Sequence, residues 1–536
     1  MKDITKLLLL IIVIASVCSI DKSVPDCAIM GKWVGAGGAV LVSILVVSIT
    51  ALFTHSNKGG TTIRAGDMSW PFALAGIAVL MHCFLQLSGV LKHINGGGPG
   101  VYAAVAGFDN PAGVAAALTV CLPFMGYFSL AGNSRHPLLV RLVAYAVFLL
   151  SLILMAVIGS RAGIIATGVV LVLFLAQGTD AVRLRRALLV AAVAAVAVTA
   201  VALSVQKRAS STGRMLILNV CWDMIKERPL LGHGLHGFHS QYMIYQALFL
   251  DRCRSEVMDM LADNVTHPLN EYVLLAVNFG ITGVTVIIGI AVMIVRFCMR
   301  HPSRDGFTGL SVIAGIAVLA MFSYPFRYPL TAVALTCALM MVFREPAGRL
   351  TDRYGKTVCA VSAVLSAAGL ALFLPWAASQ HRWGRVSSIP DNAGHHTDTV
   401  IKEYEALLGR LGNDPYFLYS YAYALADAER NGEAVSMAGE SQRLMANYDT
   451  VLFMAEQESL CGDTDKAEQH YLLASRMCPV RFVPLYGLFC LYEEQGRFDE
   501  MKSMGQAILN KRIKVKSPEV SRIRLAVRQG MMMHNL

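Results

Sequence analysis

Charge is what this 536-residue chain has least of: 15% of its residues are Asp, Glu, Lys or Arg, against 55% hydrophobic. Soluble globular chains carry about 25% charged residues, so the shortfall excludes an ordinary soluble domain and argues for a membrane protein. Metal-site spacing is missing as well. The twelve cysteines form no CxxC pair and no Cys/His pattern of a zinc site. Cys83, Cys121, Cys298, Cys337 and Cys359 fall inside apolar stretches and read as small buried residues. Cys221 and Cys253 share one polar stretch and can pair if it faces an oxidising compartment. The net charge of +10 is not massed on one amphipathic element, which excludes nucleic acid as the implied partner. The basic residues sit in short clusters between apolar runs, and that is a topology signal.

Those runs are what the sequence has in abundance. An apolar stretch at Leu7–Ile20, preceded by Lys2 and Lys6, fits a signal peptide as well as a first membrane helix. The many spans that follow favour an uncleaved helix. Stretches long enough to cross a bilayer cover 35–54, 70–91, 111–131, 138–159, 162–178, 187–206, 269–295, 306–323, 328–343 and 357–377, about eleven spans in all. With the N-terminus in the cytoplasm, the cytoplasmic connections carry fourteen Lys and Arg, from Lys58 to Lys356. The opposite short connections carry five: Lys22, Lys32, Lys92, Arg161 and Arg327. This bias places the one long polar insertion, 207–268, outside, on the periplasmic side in a cell with two membranes. An odd number of spans puts the C-terminal part there too.

The expected architecture is therefore all-α. Residues 1–378 form a polytopic membrane helix bundle with a large external loop, 379–397 a linker, and 398–536 a soluble helical domain. In that last segment Asn413 and Asn447 open similar units 34 residues apart, and Gly462 and Gly496 have the same spacing. The pattern resembles tetratricopeptide (TPR) repeats, about three helical pairs, whose stacks hold a protein partner. A non-repeating helical cap is the alternative.

Several residues on the external side can carry chemistry. Arg161 in GSRAG and Arg214 in STGRM lie at the bilayer edge, where arginine is costly to desolvate. Two guanidinium groups on one face suit a diphosphate, which each can grip bidentately; anchoring to lipid phosphates or a structural ion pair is the alternative. Arg327 in SYPFRYPL is a third such residue. After a helix expected over Met215–Lys226 comes PLLGHGLHGF, a glycine-punctuated turn that lacks the GK[ST] of a Walker loop. His233 and His236 in it can bind substrate or metal, or simply be polar surface. In THPLNEY, Asn264 or Thr266 is expected to cap the next helix, with Pro268 in its first turn. His267 and Glu271, four apart, would then share a face, and a carboxylate beside a histidine makes a reasonable general base. A capping or interfacial histidine is the plainer reading.

Taken together, GSRAG after a span, Arg214 followed by PLLGHG, the NEY–x7–G–x2–G junction (Asn270, Gly280, Gly283) and FDNPAG (Phe108–Gly113) resemble the O-antigen ligase/polymerase superfamily over roughly residues 100–345. The resemblance implies a metal-independent, inverting glycosyltransferase that needs no cofactor and uses a polyprenyl (undecaprenyl) diphosphate-linked glycan donor. It gives Arg161 and Arg214 the donor diphosphate and the leaving charge, and His267 the activation of an acceptor hydroxyl. Arg327, His233, Asn270 and Glu271 are expected around the substrates. Many members place histidine immediately before the asparagine, where this chain has Leu269; His233 or Glu271 is the alternative base. The implied acceptor is lipid A-core, in lipopolysaccharide biosynthesis at the bacterial inner membrane. A protein hydroxyl or a growing chain is the alternative within the superfamily. Outside it stand a transporter of lipid-linked glycan and a TPR scaffold. Against transport, ionisable residues are missing from the span centres. A metal-dependent membrane glycosyltransferase would show a DxD or DE pair in an early external loop, and none is found there.

Overall fold

A computed structural model describes residues 2–53, 65–91, 104–129, 138–177, 208–253, 255–388 and 397–534. Every regular element among the described residues is helical, the form in which a lipid-embedded backbone satisfies its own polar groups. In the first part these are α1 (Lys2–Cys18), α2 (Met30–Phe53), α3 (Ala65–Leu87), α4 (Pro111–Ser129), α5 (Leu138–Val157) and α6 (Arg161–Gln177). Then come α7 (Arg208–Glu227), α8 (Gly237–Arg252), α9 (Glu256–Leu261), α10 (Glu271–Arg300), α11 (Arg304–Phe322), α12 (Pro329–Val342) and α13 (Arg344–Val386). Six described helices are long and apolar enough to cross a membrane, and three shorter apolar ones accompany them. The chain is a multi-pass membrane protein. The span expected at 187–206 and the basic residues Lys58, Arg64, Lys92, Arg135 and Arg183–Arg186 lie outside the described residues.

The chain divides into two units. The first comprises 1–206, 269–271 and 287–384. Its centre is α4, which packs against α3, α5, α6, α11 and α12. A helix apolar on every side belongs in a core, and Val114, Ala116, Val120 and Phe124 of α4 are all buried, with Phe124 stacked on Phe72 at 4.1 Å. The N-terminal α1 belongs to this bundle. Its Val13 and Val17 are buried, and Lys6 pairs with Asp67 of α3 at 3.0 Å. α13 runs to Val386, so helix occupies the first part of the stretch expected as linker.

The second unit comprises 207–268, 272–286 and 385–536. Leu216, Val220 and Met224 of α7, Phe238, Tyr242 and Met243 of α8, and Val277 of α10 share one apolar cluster with Tyr448, Val451 and Met477 of the C-terminal helices. Polar bonds close its edge. Gln246, fully buried, donates to the carbonyls of Asp263 (3.0 Å) and Met477 (2.8 Å). Arg481 pairs with Asp263 at 2.8 Å. Asn264, expected as a helix cap, instead donates to Asn447 Oδ1 at 2.9 Å and Asp449 Oδ2 at 3.1 Å. Cys221 and Cys253, which share the polar stretch and could have paired, are both free thiols. Cys221 lies in the core, where burial pushes its thiol up to about 12, whereas Cys253 caps the exposed end of α8.

The C-terminal segment is a run of eight helices, α14 (Thr397–Leu411), α15 (Pro415–Asp427), α16 (Asn431–Leu444), α17 (Tyr448–Leu460), α18 (Thr464–Met477), α19 (Val483–Glu494), α20 (Phe498–Asn510) and α21 (Pro518–Met533), each packed on the next. Asp414 and Asn447 cap α15 and α17 through their side chains, so Asn447 opens a helix while Asn413 stands just before its cap. Gly462 and Gly496 occupy matching turns after α17 and α19 with φ of 78° and 67°. At the corresponding place after α15 the chain has Glu429, with φ 59°.

Candidate active site

In the first unit, the FDNPAG stretch enters α4 and the SYPFRYPL stretch enters α12, and their polar side chains interlock. Asn110 caps α4 by accepting from Ala112 N at 2.8 Å and donates to Tyr324 Oη at 2.9 Å. Asp109 accepts from Tyr328 Oη at 2.8 Å and faces Arg327 Nε at 3.3 Å; Asp26 lies 3.9 Å from the same guanidinium. Trp33 Nε1 donates to the Arg327 carbonyl at 2.9 Å. Arg327 is thereby aimed by two carboxylates and remains half-exposed. Behind this cluster sits Lys32. It was expected in a connection, but it lies inside α2 and is fully buried. Its Nζ donates to the carbonyls of Gly107 (2.7 Å) and Ser19 (3.3 Å), with the Phe108 ring 5.2 Å away. A buried ammonium is tolerated when its protons are met this way, and it pins the approach to Asp109. Arg161 is the first residue of α6. It follows a turn in which Gly159 takes φ 67° and Ser160 Oγ accepts from Gly163 N at 3.4 Å.

In the second unit, the geometry turns on a break in α10. Gly280 adopts φ 60°, ψ −157°, a region essentially reserved for glycine. A break in a helix frees carbonyls before it and amides after it, and the PLLGHG turn meets them. His233 N and Gly234 N donate to the carbonyls of Val277 and Asn278, both at 2.9 Å. Ile281 N donates to the Pro229 carbonyl at 2.8 Å and Thr282 N to that of Leu230 at 3.3 Å. No side chain would fit: a Cβ on Gly280 would collide with the Leu230 carbonyl, and one on Gly232 with the Asn278 carbonyl. Asn278, buried, completes the knot by accepting from Phe238 N at 3.0 Å and donating to the Leu235 carbonyl at 2.9 Å.

The glycines of PLLGHG therefore fit a backbone partner within the chain. His233 belongs to the same construction. Its Nε2 lies 2.8 Å from the Met224 carbonyl, which can only accept, so Nε2 carries the proton, and the ring meets Tyr245 edge-on.

Arg214 stands exposed on α7, which begins at Arg208, earlier than the expected Met215. His267 is not on a helix. α10 starts at Glu271, and Leu269 takes a left-handed φ of 56°, so the spacing that put His267 and Glu271 on one helical face does not apply. His236 and His267 lie near His239. Burial, then the like charge of those two, holds the His239 imidazole down at about 4. Asn270 and Glu271 fall with the first unit, and His233 and His267 with the second.

Residues 146–288 match the O-antigen ligase family. The matched segment runs from within α5 to just beyond the Gly280 break. It takes in GSRAG, Arg214, the PLLGHG knot and THPLNEY. The FDNPAG–Arg327 cluster and the C-terminal helices fall outside it. No curated protein matches the chain. The O-antigen ligase likeness supports a membrane glycan ligase or polymerase type of function and, with it, a lipid-linked glycan donor.

Asn278, Asp109, Tyr328 and Lys32 are the residues that reading the sequence did not single out. Each carried a signal: an amide inside an apolar span, a carboxylate in a Pro-Gly turn, a tyrosine beside an interfacial arginine, and a lysine at the mouth of a span.

Proposed function

We propose that the protein is a periplasm-facing glycan ligase of the inner membrane. It would transfer a polyprenyl-diphosphate-linked oligo- or polysaccharide to an acceptor hydroxyl, with lipid A-core as the leading acceptor. The observation that carries this reading is the O-antigen ligase match across 146–288, which contains Arg161, Arg214 and His267 together. In the reaction, His267 takes the proton of the acceptor hydroxyl as its oxygen attacks the anomeric carbon of the donor. The bond from that carbon to the diphosphate oxygen breaks, and polyprenyl diphosphate departs with the electron pair. Single displacement inverts the configuration. Arg161 and Arg214 stabilise the charge that grows on the diphosphate, as fixed donors in a partly dry site do strongly. Arg327, aimed by Asp109, serves the same anion, with no metal required. His233, Asn270 and Glu271 shape the site.

A second reading within the superfamily is transfer to protein hydroxyls. It is favoured by the shared core of residues 207–268 and the C-terminal helices, since a TPR-like array beside the site would present a polypeptide. The test is transfer by purified protein in liposomes, with the donor offered alongside lipid A-core, a Ser/Thr-rich protein, or alone. Arg214→Ala is expected to lower the rate by about 10²–10³ while the protein stays folded. Transfer to the protein selects the second reading, and lengthening of the glycan without acceptor selects a polymerase. Donor movement between leaflets without transfer overturns the ligase.

A further inference from the structure

The second unit carries an apolar face that its own core does not use. On α7, residues Leu216, Val220 and Met224 point into the core, while Met215, Leu218 and Trp222, at helical spacing, point out. The turn that follows adds Leu230, Leu231 and Leu235, exposed by 66%, 74% and 65%. Six large apolar side chains on one short stretch exceed the single exposed hydrophobics normal on a surface.

We propose that this face, α7 together with the Pro229–Leu235 turn, rests in the headgroup-to-acyl boundary of a lipid leaflet. Continuity with a membrane span is the first argument. The turn is hydrogen-bonded through Pro229 and Leu230 to Ile281 and Thr282, the first residues beyond the break in α10. At 1.5 Å per residue, all of Glu271–Arg300 would measure about 45 Å, too long for a hydrocarbon core of about 30 Å. The part from Ile281 to Arg300 measures about 30 Å and fits it. Exposure changes at the same place. Val277 before the break is buried in protein, whereas Ile281 and Val286 after it turn their side chains outward. The span therefore enters the hydrocarbon near Gly280, and Leu230, bonded through its carbonyl to Thr282 of that span, stands at that depth with Leu231 next to it in the chain.

Charge is the second argument. Arg214 is exposed just before the α7 stripe and Arg228 between that stripe and the leucines of the turn, where guanidinium groups can meet lipid phosphates. Trp222 is of the type enriched at membrane interfaces. Seated this way, α7 would hold Arg214 in the plane of the phosphates.

The test uses the full-length protein in nanodiscs and needs no glycan transfer. The exposed Cys18, Cys253 and Cys461 are replaced by serine. An environment-sensitive fluorophore is then placed by Leu231→Cys, with Val286→Cys as the lipid reference and Val515→Cys as the aqueous one. The expected result is blue-shifted emission at Leu231→Cys, quenched by nitroxide lipids as strongly as at Val286→Cys. A label that behaves like the one at Val515→Cys overturns the proposal. So does one shielded from lipid and aqueous quenchers alike, which would mean that a second copy or another protein covers the face. The native tryptophan gives an independent readout. Brominated lipids are expected to quench the part of the emission that Trp222→Phe removes, and an unquenched Trp222 contribution overturns the proposal as well.

Discussion

Asn110 and Asn278 each fasten a turn to a helix, one among charged neighbours and the other with main chain alone. Around Asn110, the bonds run through Asp109, Arg327, Tyr324 and Tyr328, and the result is a half-exposed guanidinium held in one direction. Around Asn278, the bonds run between peptide groups of the Pro229–Gly234 turn and of α10, and the result is a bent backbone. The first arrangement is open to salt and substitution. The second is closed to salt, because main-chain groups carry no net charge, and a broken helix that loses its partners leaves buried polar groups unmet. One knot aims a guanidinium group, and the other sets the course of a helix.

The largest effect should come from breaking the main-chain knot. Gly280→Ala forces a side chain into glycine-only backbone space, at about 1–3 kcal/mol, and adds the collision with the Leu230 carbonyl. Asn278→Ala leaves Phe238 N and the Leu235 carbonyl unmet, at about 1–3 kcal/mol each. Both variants should show a large drop in melting temperature in detergent. A thiol-reactive dye can follow this, because buried Cys221 and Cys478 become reactive only on unfolding. A Gly280→Ala protein that melts like the wild type would show that the break is not built in.

Next comes pH, which separates this knot from the histidines near it. His239 is held at about 4 when folded, against about 6.5 in an unfolded chain. As pH falls, the unfolded chain takes up its proton first. The stability contribution is therefore complete above about pH 6.5, declines on the way to pH 4 and is exhausted below it, a loss on the order of 1–3 kcal/mol. His239→Gln should flatten the melting temperature between pH 7 and pH 4.5. An unchanged slope would remove His239 as the cause.

Asp109→Asn tests the charged knot. A half-exposed pair such as Asp109–Arg327 contributes no more than about 1 kcal/mol, and Asn still accepts from Tyr328, so melting should barely move. Transfer should fall, with the loss in donor KM, because Arg327 is no longer aimed. A fall in melting temperature as large as that of Asn278→Ala would erase the distinction between the knots. The smallest effect is expected at Glu429→Gly. Relief of left-handed backbone by about 1–2 kcal/mol is partly offset by the added freedom of the unfolded chain, which leaves a small rise in melting temperature.

Much of this was legible in the sequence, and the rest was hidden for identifiable reasons. Hydropathy located α2 to α6 and α10 to α12 within a few residues, because apolar length is a local property. PLLGHG read as a turn, but its purpose did not, since its partner lies near Gly280, far along the chain. The helical turn expected to reach back to His267 is absent, although a proline two residues after a Thr looks like a helix entrance. Leu269 instead adopts a left-handed conformation that local preference argues against. Lys32 looked like a loop charge because its carbonyl acceptors, Ser19 and Gly107, come from stretches separated by whole helices.

The main-chain character of the Gly280 knot also bears on how such a protein can change over time. Four hydrogen bonds join turn to helix, and none asks for a particular side chain at Pro229, Leu230, His233 or Ile281. As far as these bonds go, the side chains there can vary while Gly232 and Gly280 stay fixed, so the join behaves as a standard fitting that accepts more than one turn; His233, whose ring also reaches the Met224 carbonyl, is the exception.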